Sequence, residues 1–144
     1  MKIQSVGHVV LNVRNRQRSE EFYNGLLGIP VCAKDDMMAF FTLGGHHDFG
    51  VIEVGEEAQN PSDQSVGLAH VAFKIGDCLD ALLEAKERLE AAGITTRGID
   101  HVVTKSLYFE DPDGNNVELY VDTSDIWKED GFSLFQVRHR PLEI

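Results

Sequence analysis

The chain has 144 residues, 42% of them apolar, and its 24 Asp+Glu against 13 Lys+Arg give a net charge of −11. That length and apolar content point to one compact domain with a core of its own, which excludes disorder as a description of the whole. The acidic balance repels polyanions, so neither nucleic acid nor an anionic membrane is an expected partner.

No apolar run approaches the ~18 residues of a membrane span. The opening MKIQSVGHVV lacks the long apolar stretch of a signal peptide. Cys32 and Cys78 lie 46 residues apart in no metal spacing. They read as free buried thiols in a reducing, cytoplasmic compartment.

Residues 6–13, VGHVVLNV, alternate as a strand with Val9, Leu11 and Val13 on one side and His8, Val10 and Asn12 on the other. Residues 15–27 follow as an amphipathic helix with Phe22, Leu26 and Leu27 inward, Asn15 as cap and Gly28 as stop. Short strands are predicted around Pro30–Ala33, Met37–Leu43 and Asp48–Val54, and the polar stretch Gly55 to Ser65 reads as a linker. LAHVAFKI (68–75) is again an alternating strand, and Asp77 opens a longer helix, roughly 78–92, closed by Gly93. Strands over 101–110 and 115–122 are joined by the turn Asp111-Pro112-Asp113-Gly114, where proline presets its own φ and glycine accepts a positive one.

The chain therefore repeats. His8 in GHVVLNV matches His70 in AHVAFKI, and the distances to the helix-ending Gly28 and Gly93 are 20 and 23 residues. The distances to Glu53 and Glu118 are 45 and 48, the same difference of three. This predicts an α+β fold of two βαβββ modules within one domain, residues 1–122: module 1 about 1–55, a linker at 56–65 and module 2 about 66–122. A tail, 123–144, offers Trp127, Phe132, Leu134 and Phe135 to pack on the domain or on a partner.

One strand face is apolar: Val9, Leu11, Val13, Ile52, Val54, Val71, Phe73, Ile75, Leu107, Phe109, Val117, Leu119 and Val121. Helices must cover it. The other face collects His8, His47, Glu53, His70, Tyr108, Glu118 and Tyr120, groups that suit a lined cavity better than a solvated surface. Two imidazoles and a carboxylate from repeat-equivalent strands suit a divalent first-row metal, and two His with one carboxylate is the donor set of non-haem Fe(II). The ligands predicted are His8, His70 and Glu118.

These residues carry a resemblance. GHVVLNV with SEEFYNGLLGIP, then LAHVAFKI, then YFEDPDGNNVELY, spanning residues 6 to 122, resemble the vicinal oxygen chelate superfamily. That superfamily includes glyoxalase I, bleomycin-resistance proteins, fosfomycin-resistance enzymes and extradiol ring-cleaving dioxygenases. The resemblance implies that the two modules pair into one curved mixed β-sheet around a metal-site cavity, with helices outside, and that the chain forms a homodimer.

HHDFGVIEV and DHVVTKSLYFEDPDGNNVE are most similar to the catechol 2,3-dioxygenase-like extradiol branch. That likeness implies His47 as the catalytic proton carrier, with Tyr108 and His101 as a supporting pair holding the substrate oxygens. It also implies Fe(II) as cofactor, with Mn(II), Ni(II), Co(II) or Zn(II) as alternatives, and an aromatic diol and O2 as substrates. Two other activities stay open. A glyoxalase I-like isomerase or epimerase would use Glu53 as a fourth ligand, and a bleomycin-resistance-like binding protein would sequester a cationic drug in an acidic groove.

Overall fold

The computed structural model describes residues 1–62, 64–135 and 140–144. The chain divides into two units: Met1–Val66 with Asp111–Gly114, and Gly67–Glu110 with Asn115–Ile144.

In the first unit β1 (Val9–Val13) leads into α1 (Arg16–Glu20), which widens into a π-helical segment over Glu21–Leu26. Asn15 caps α1 as predicted, its side chain accepting the Arg18 N–H at 2.9 Å. Gly28, at φ 81°, ends the helix. The widened turn changes the inward stripe from that predicted. Phe22 and Tyr23 are buried, whereas Leu26 and Leu27 are only half-buried.

Three strands follow, β2 (Val31–Lys34), β3 (Met38–Phe41) and β4 (Phe49–Glu53). They pair in the order β1-β4-β3-β2, with β1 and β4 parallel. The core face of β4 carries Phe49 and Val51, not the expected Ile52 and Val54. Val9 pairs with Phe49 and Leu11 with Val51, so the pleat turns Ile52 to the other side and leaves Val54 exposed.

Tyr23, fully buried, packs on Phe49 with ring centres 4.6 Å apart. Its hydroxyl donates to Asp111 Oδ2 at 2.8 Å. The Asp111–Gly114 turn is further held by Arg14, whose backbone N–H and guanidinium both donate to Asp113 Oδ1 at 3.1 Å. The same guanidinium reaches Ala58 O and Asn60 Oδ1, so the polar stretch expected as a linker is tied down at these two residues.

The second unit repeats the plan: β5 (Val71–Gly76), α2 (Leu79–Ala91), β6 (Arg97–Asp100), β7 (Thr104–Glu110) and β8 (Asn116–Asp122), ending in β9 (Arg140–Pro141). Among the described residues it forms a second mixed sheet, order β5-β8-β7-β6-β9. Strand β6 has no apolar alternation to announce it and is created by pairing with β7. The strand expected from residue 101 accordingly starts at Thr104.

Leu82 of α2 packs with Leu107 and Val121, and Leu142 and Ile144 close over that cluster. Trp127, Phe132 and Leu134 are exposed on this unit, and the Phe135 side chain lies outside the described residues. Both cysteines are unpaired but exposed, not buried as expected. Cys32 sits on the edge strand β2 and Cys78 at the N-cap of α2. No helix among the described residues is long and apolar enough to cross a membrane.

Replacing Tyr23 by Phe removes a buried donor from a buried acid. Urea unfolding should show a loss of about 1–3 kcal/mol, and an unchanged midpoint would contradict the role given to this bond.

Candidate functional site

In the second unit β8 is buried on one face through Val117, Leu119 and Val121, so alternation turns Glu118 to the other. Ladder pairing puts Ala72, Glu118, Tyr108 and Arg97 in one transverse row across β5, β8, β7 and β6. The next row includes Tyr120, Ser106 and Ile99. Glu118 is 7% exposed, a burial a carboxylate tolerates only with partners.

It has them. Ser106 Oγ donates to Oε1 at 2.6 Å, and Oε2 lies 3.1 Å from His70 Nε2. A lone serine in a strand carries no signal in the sequence; only the register of Ser106 opposite Tyr120 places it beside Glu118. His70 stands immediately before β5, half-exposed, its ring edge-on to Tyr108 at 5.7 Å.

Burial raises the Tyr108 phenol well above its usual range, and the negative charge of the neighbouring Glu118 raises it further. The phenol therefore stays protonated at neutral pH. Its oxygen lies 3.0 Å from His101 Nε2. His101 is held by a tight turn in which Val102, a β-branched residue, takes φ 70°, a conformation costing on the order of 1–3 kcal/mol. The Val102 N–H bonds to Asp100 Oδ1 at 2.8 Å and the His101 N–H to Thr104 O at 2.9 Å, which together hold the turn.

In the first unit His8 stands immediately before β1, as His70 does before β5. Its ring lies 4.2 Å from that of His47, which in turn packs on Phe40 at 4.9 Å. His47 Nδ1 is 2.5 Å from His46 Nδ1, so one ring donates to the other and Nε2 of His47 is the nitrogen left over. Desolvation lowers the His47 pKa, and the neighbouring His8 and His46 lower it further, with Asp48 opposing them.

Glu53 does not join these groups. It pairs with Val13 on the face of β4 opposite His8, and its Oε2 accepts the Arg16 N–H at 2.8 Å, at the first turn of α1. The repeat arithmetic misassigned it. Val10 pairs with Gly50 as Ala72 pairs with Glu118, so the counterpart of Glu118 is Gly50. There a Cβ would come within 2.8 Å of the Phe40 ring.

The structure thus brings together His70, Glu118, Tyr108 and His101 in one unit, and His8 with His47 in the other. Within each unit, no group of three His, Cys, Asp or Glu among the described residues stands ready as a metal cage. The donor chemistry at Glu118 nonetheless fits a divalent first-row ion: one oxygen is anchored by a hydroxyl and the other faces an imidazole nitrogen.

Residues 5–119 match the family pattern of the Glyoxalase/Bleomycin resistance protein/Dioxygenase superfamily. The chain belongs to that superfamily. It is 34% identical over 127 residues to a catechol-2,3-dioxygenase of Bacillus subtilis, covering 87% of this chain and 44% of that one. It is 32% identical to glutathione transferase FosA of Serratia marcescens, covering 83% and 82%. A glyoxalase/dioxygenase structure from Nostoc punctiforme superposes with TM-score 0.71 at 23% identity, over 84% of this chain and 92% of that one.

This superfamily member spans less than two thirds of the dioxygenases it matches, 63% in the case of a biphenyl-2,3-diol 1,2-dioxygenase of Rhodococcus globerulus. Because Glu53 supports α1 here, Glu53→Gln should cost about 1 kcal/mol in urea unfolding. Loss of bound metal with stability unchanged would instead restore it as a ligand.

Proposed function

We propose that the chain is an extradiol-type dioxygenase, opening a catechol-like ring with O2 at a site where His8, His70 and Glu118 would hold Fe(II). The observation that carries this reading is the hydrogen-bonded His101–Tyr108 pair on the same sheet face as His70 and Glu118. An isomerase acting through a fourth carboxylate would use Glu53, which is engaged elsewhere.

Bound there, Fe(II) would supply a Lewis-acidic centre with positions open to a diol and to dioxygen. Ser106 holds one Glu118 oxygen and leaves the other for the ion. His47, with Nδ1 occupied by His46 and its pKa lowered, accepts the diol proton at Nε2 and later returns it. Tyr108 keeps its proton and so acts as a hydrogen-bond donor to a substrate oxygen, while His101 sets the direction of that hydroxyl. The overall change breaks one ring C–C bond and incorporates both atoms of O2.

One observation favours a second reading, thiol transfer. FosA and the metallothiol transferase FosB of Staphylococcus epidermidis match this chain over 82% and 84% of their own lengths, unlike the longer dioxygenases. The superfamily resemblance also supports a homodimer, and exposed Phe132 and Leu134 are apolar groups a second copy could cover. Light scattering at working concentration should give twice the 16.1 kDa chain mass.

Oxygen uptake should appear when protein loaded anaerobically with Fe(II) meets a panel of catechols in air, together with a yellow ring-opened product. His47→Ala should lower the turnover about 10²–10⁴-fold with iron retained. Ser106→Ala should weaken metal binding about 10–100-fold. If iron binds but no oxygen is consumed, while glutathione disappears in the presence of fosfomycin, thiol transfer replaces this proposal.

A further inference from the structure

Most of the lysines and arginines that the structure describes are held by a carboxylate. Arg14, Arg18, Lys34, Lys74 and Lys105 each contact a carboxylate. Among the described residues Arg97 has no such partner. Its guanidinium instead lies over the Tyr108 ring, 5.4 Å from the centre. It is the next member of the row Ala72, Glu118, Tyr108, Arg97, on the same face as the buried Glu118.

An arginine in a protein of net charge −11 finds carboxylates readily. One left unpaired and stacked on an aromatic ring beside a reactive site is preorganised to receive an anion from outside. Beside it lies a cavity of about 190 Å³ lined by Arg97, Gly98, Ile99, Arg140 and Pro141. Two of those five residues carry guanidinium groups. From the strand of Glu118 to that of Arg97 is two strand spacings, about 10 Å, a distance that an aromatic ring with a short acidic arm can span.

Building on the proposed dioxygenase reading, we infer that Arg97 anchors the substrate and that the substrate is an aromatic diol bearing a carboxylate. The hydroxyls lie toward Glu118, the ring passes Tyr108, and the carboxylate meets the planar fork of Arg97. Uncharged catechols of the same size bind the same face without that contact.

Calorimetric titration of the metal-free protein with 3,4-dihydroxybenzoate and with catechol reads this directly. The wild type should bind the carboxylated diol about tenfold or more tightly than catechol, in line with a hydrogen bond to a charged group. Added salt should narrow that preference. Arg97→Gln should abolish it, and Arg97→Lys, which keeps the charge without the fork, should restore part of it. No preference in the wild type, or one that survives Arg97→Gln, overturns the inference. So does an Arg97→Gln variant that weakens both ligands equally, since that is the result expected if Arg97 only props Tyr108.

The Fe(II)-loaded enzyme separates the two proposals. The ratio of kcat/KM values for the two diols should follow the binding ratio, through KM. Cleavage of both diols with no preference sinks the anion subsite alone. An Arg97-dependent binding preference with no cleavage of either diol sinks the dioxygenase reading alone.

Discussion

Val117, Leu119 and Val121 are buried beneath the helix side of β8, and a strand cannot bury alternate residues without presenting the ones between them to the opposite face. Glu118 and Tyr120 are the residues so presented. A slip of one residue in this register would put a carboxylate into the α2 core and three valine or leucine side chains onto the site, at a cost no local contact could offset. The chemistry of the second unit therefore rests on an apolar constraint, the packing of Leu82, Leu107 and Val121.

Holding Glu118 on that face still requires polar partners, because a buried carboxylate without them costs several kcal/mol. Ser106 and His70 supply them, one at each carboxylate oxygen. Hydrogen bonds to a charged group contribute about 1.5–3 kcal/mol apiece, so these two offset much of that cost. The arrangement also orders the neighbours. Tyr108 stays protonated, and its far side is free to engage His101 and to carry the Arg97 guanidinium.

The two modules share topology but not chemistry. Each puts a histidine immediately before its first strand and pairs that strand in parallel with its last. Where the second carries Glu118, the first carries Gly50, over which the Phe40 ring closes. The first unit contributes instead His47, resting on Phe40 and facing His8.

Much of this was legible in the chain. The alternation of LAHVAFKI and NVELYV sets the faces on which His70 and Glu118 lie, and Asn15, Gly28 and Gly93 mark helix ends, because these are local properties of a few consecutive residues. The pairing of His101 with Tyr108 is nearly local too, separated by a single turn. Strand β6, the true counterpart of Glu118 and the role of Glu53 were not legible. Each depends on which residue lies opposite which across a ladder, and sequence spacing cannot supply that when loops and turns absorb residues unequally. Likewise nothing in the string RGID marks Arg97 as belonging with Glu118. Only β7, lying between the two strands, places both in one row, because register is decided by the pairing of strands distant in the chain and not by the residues within either one.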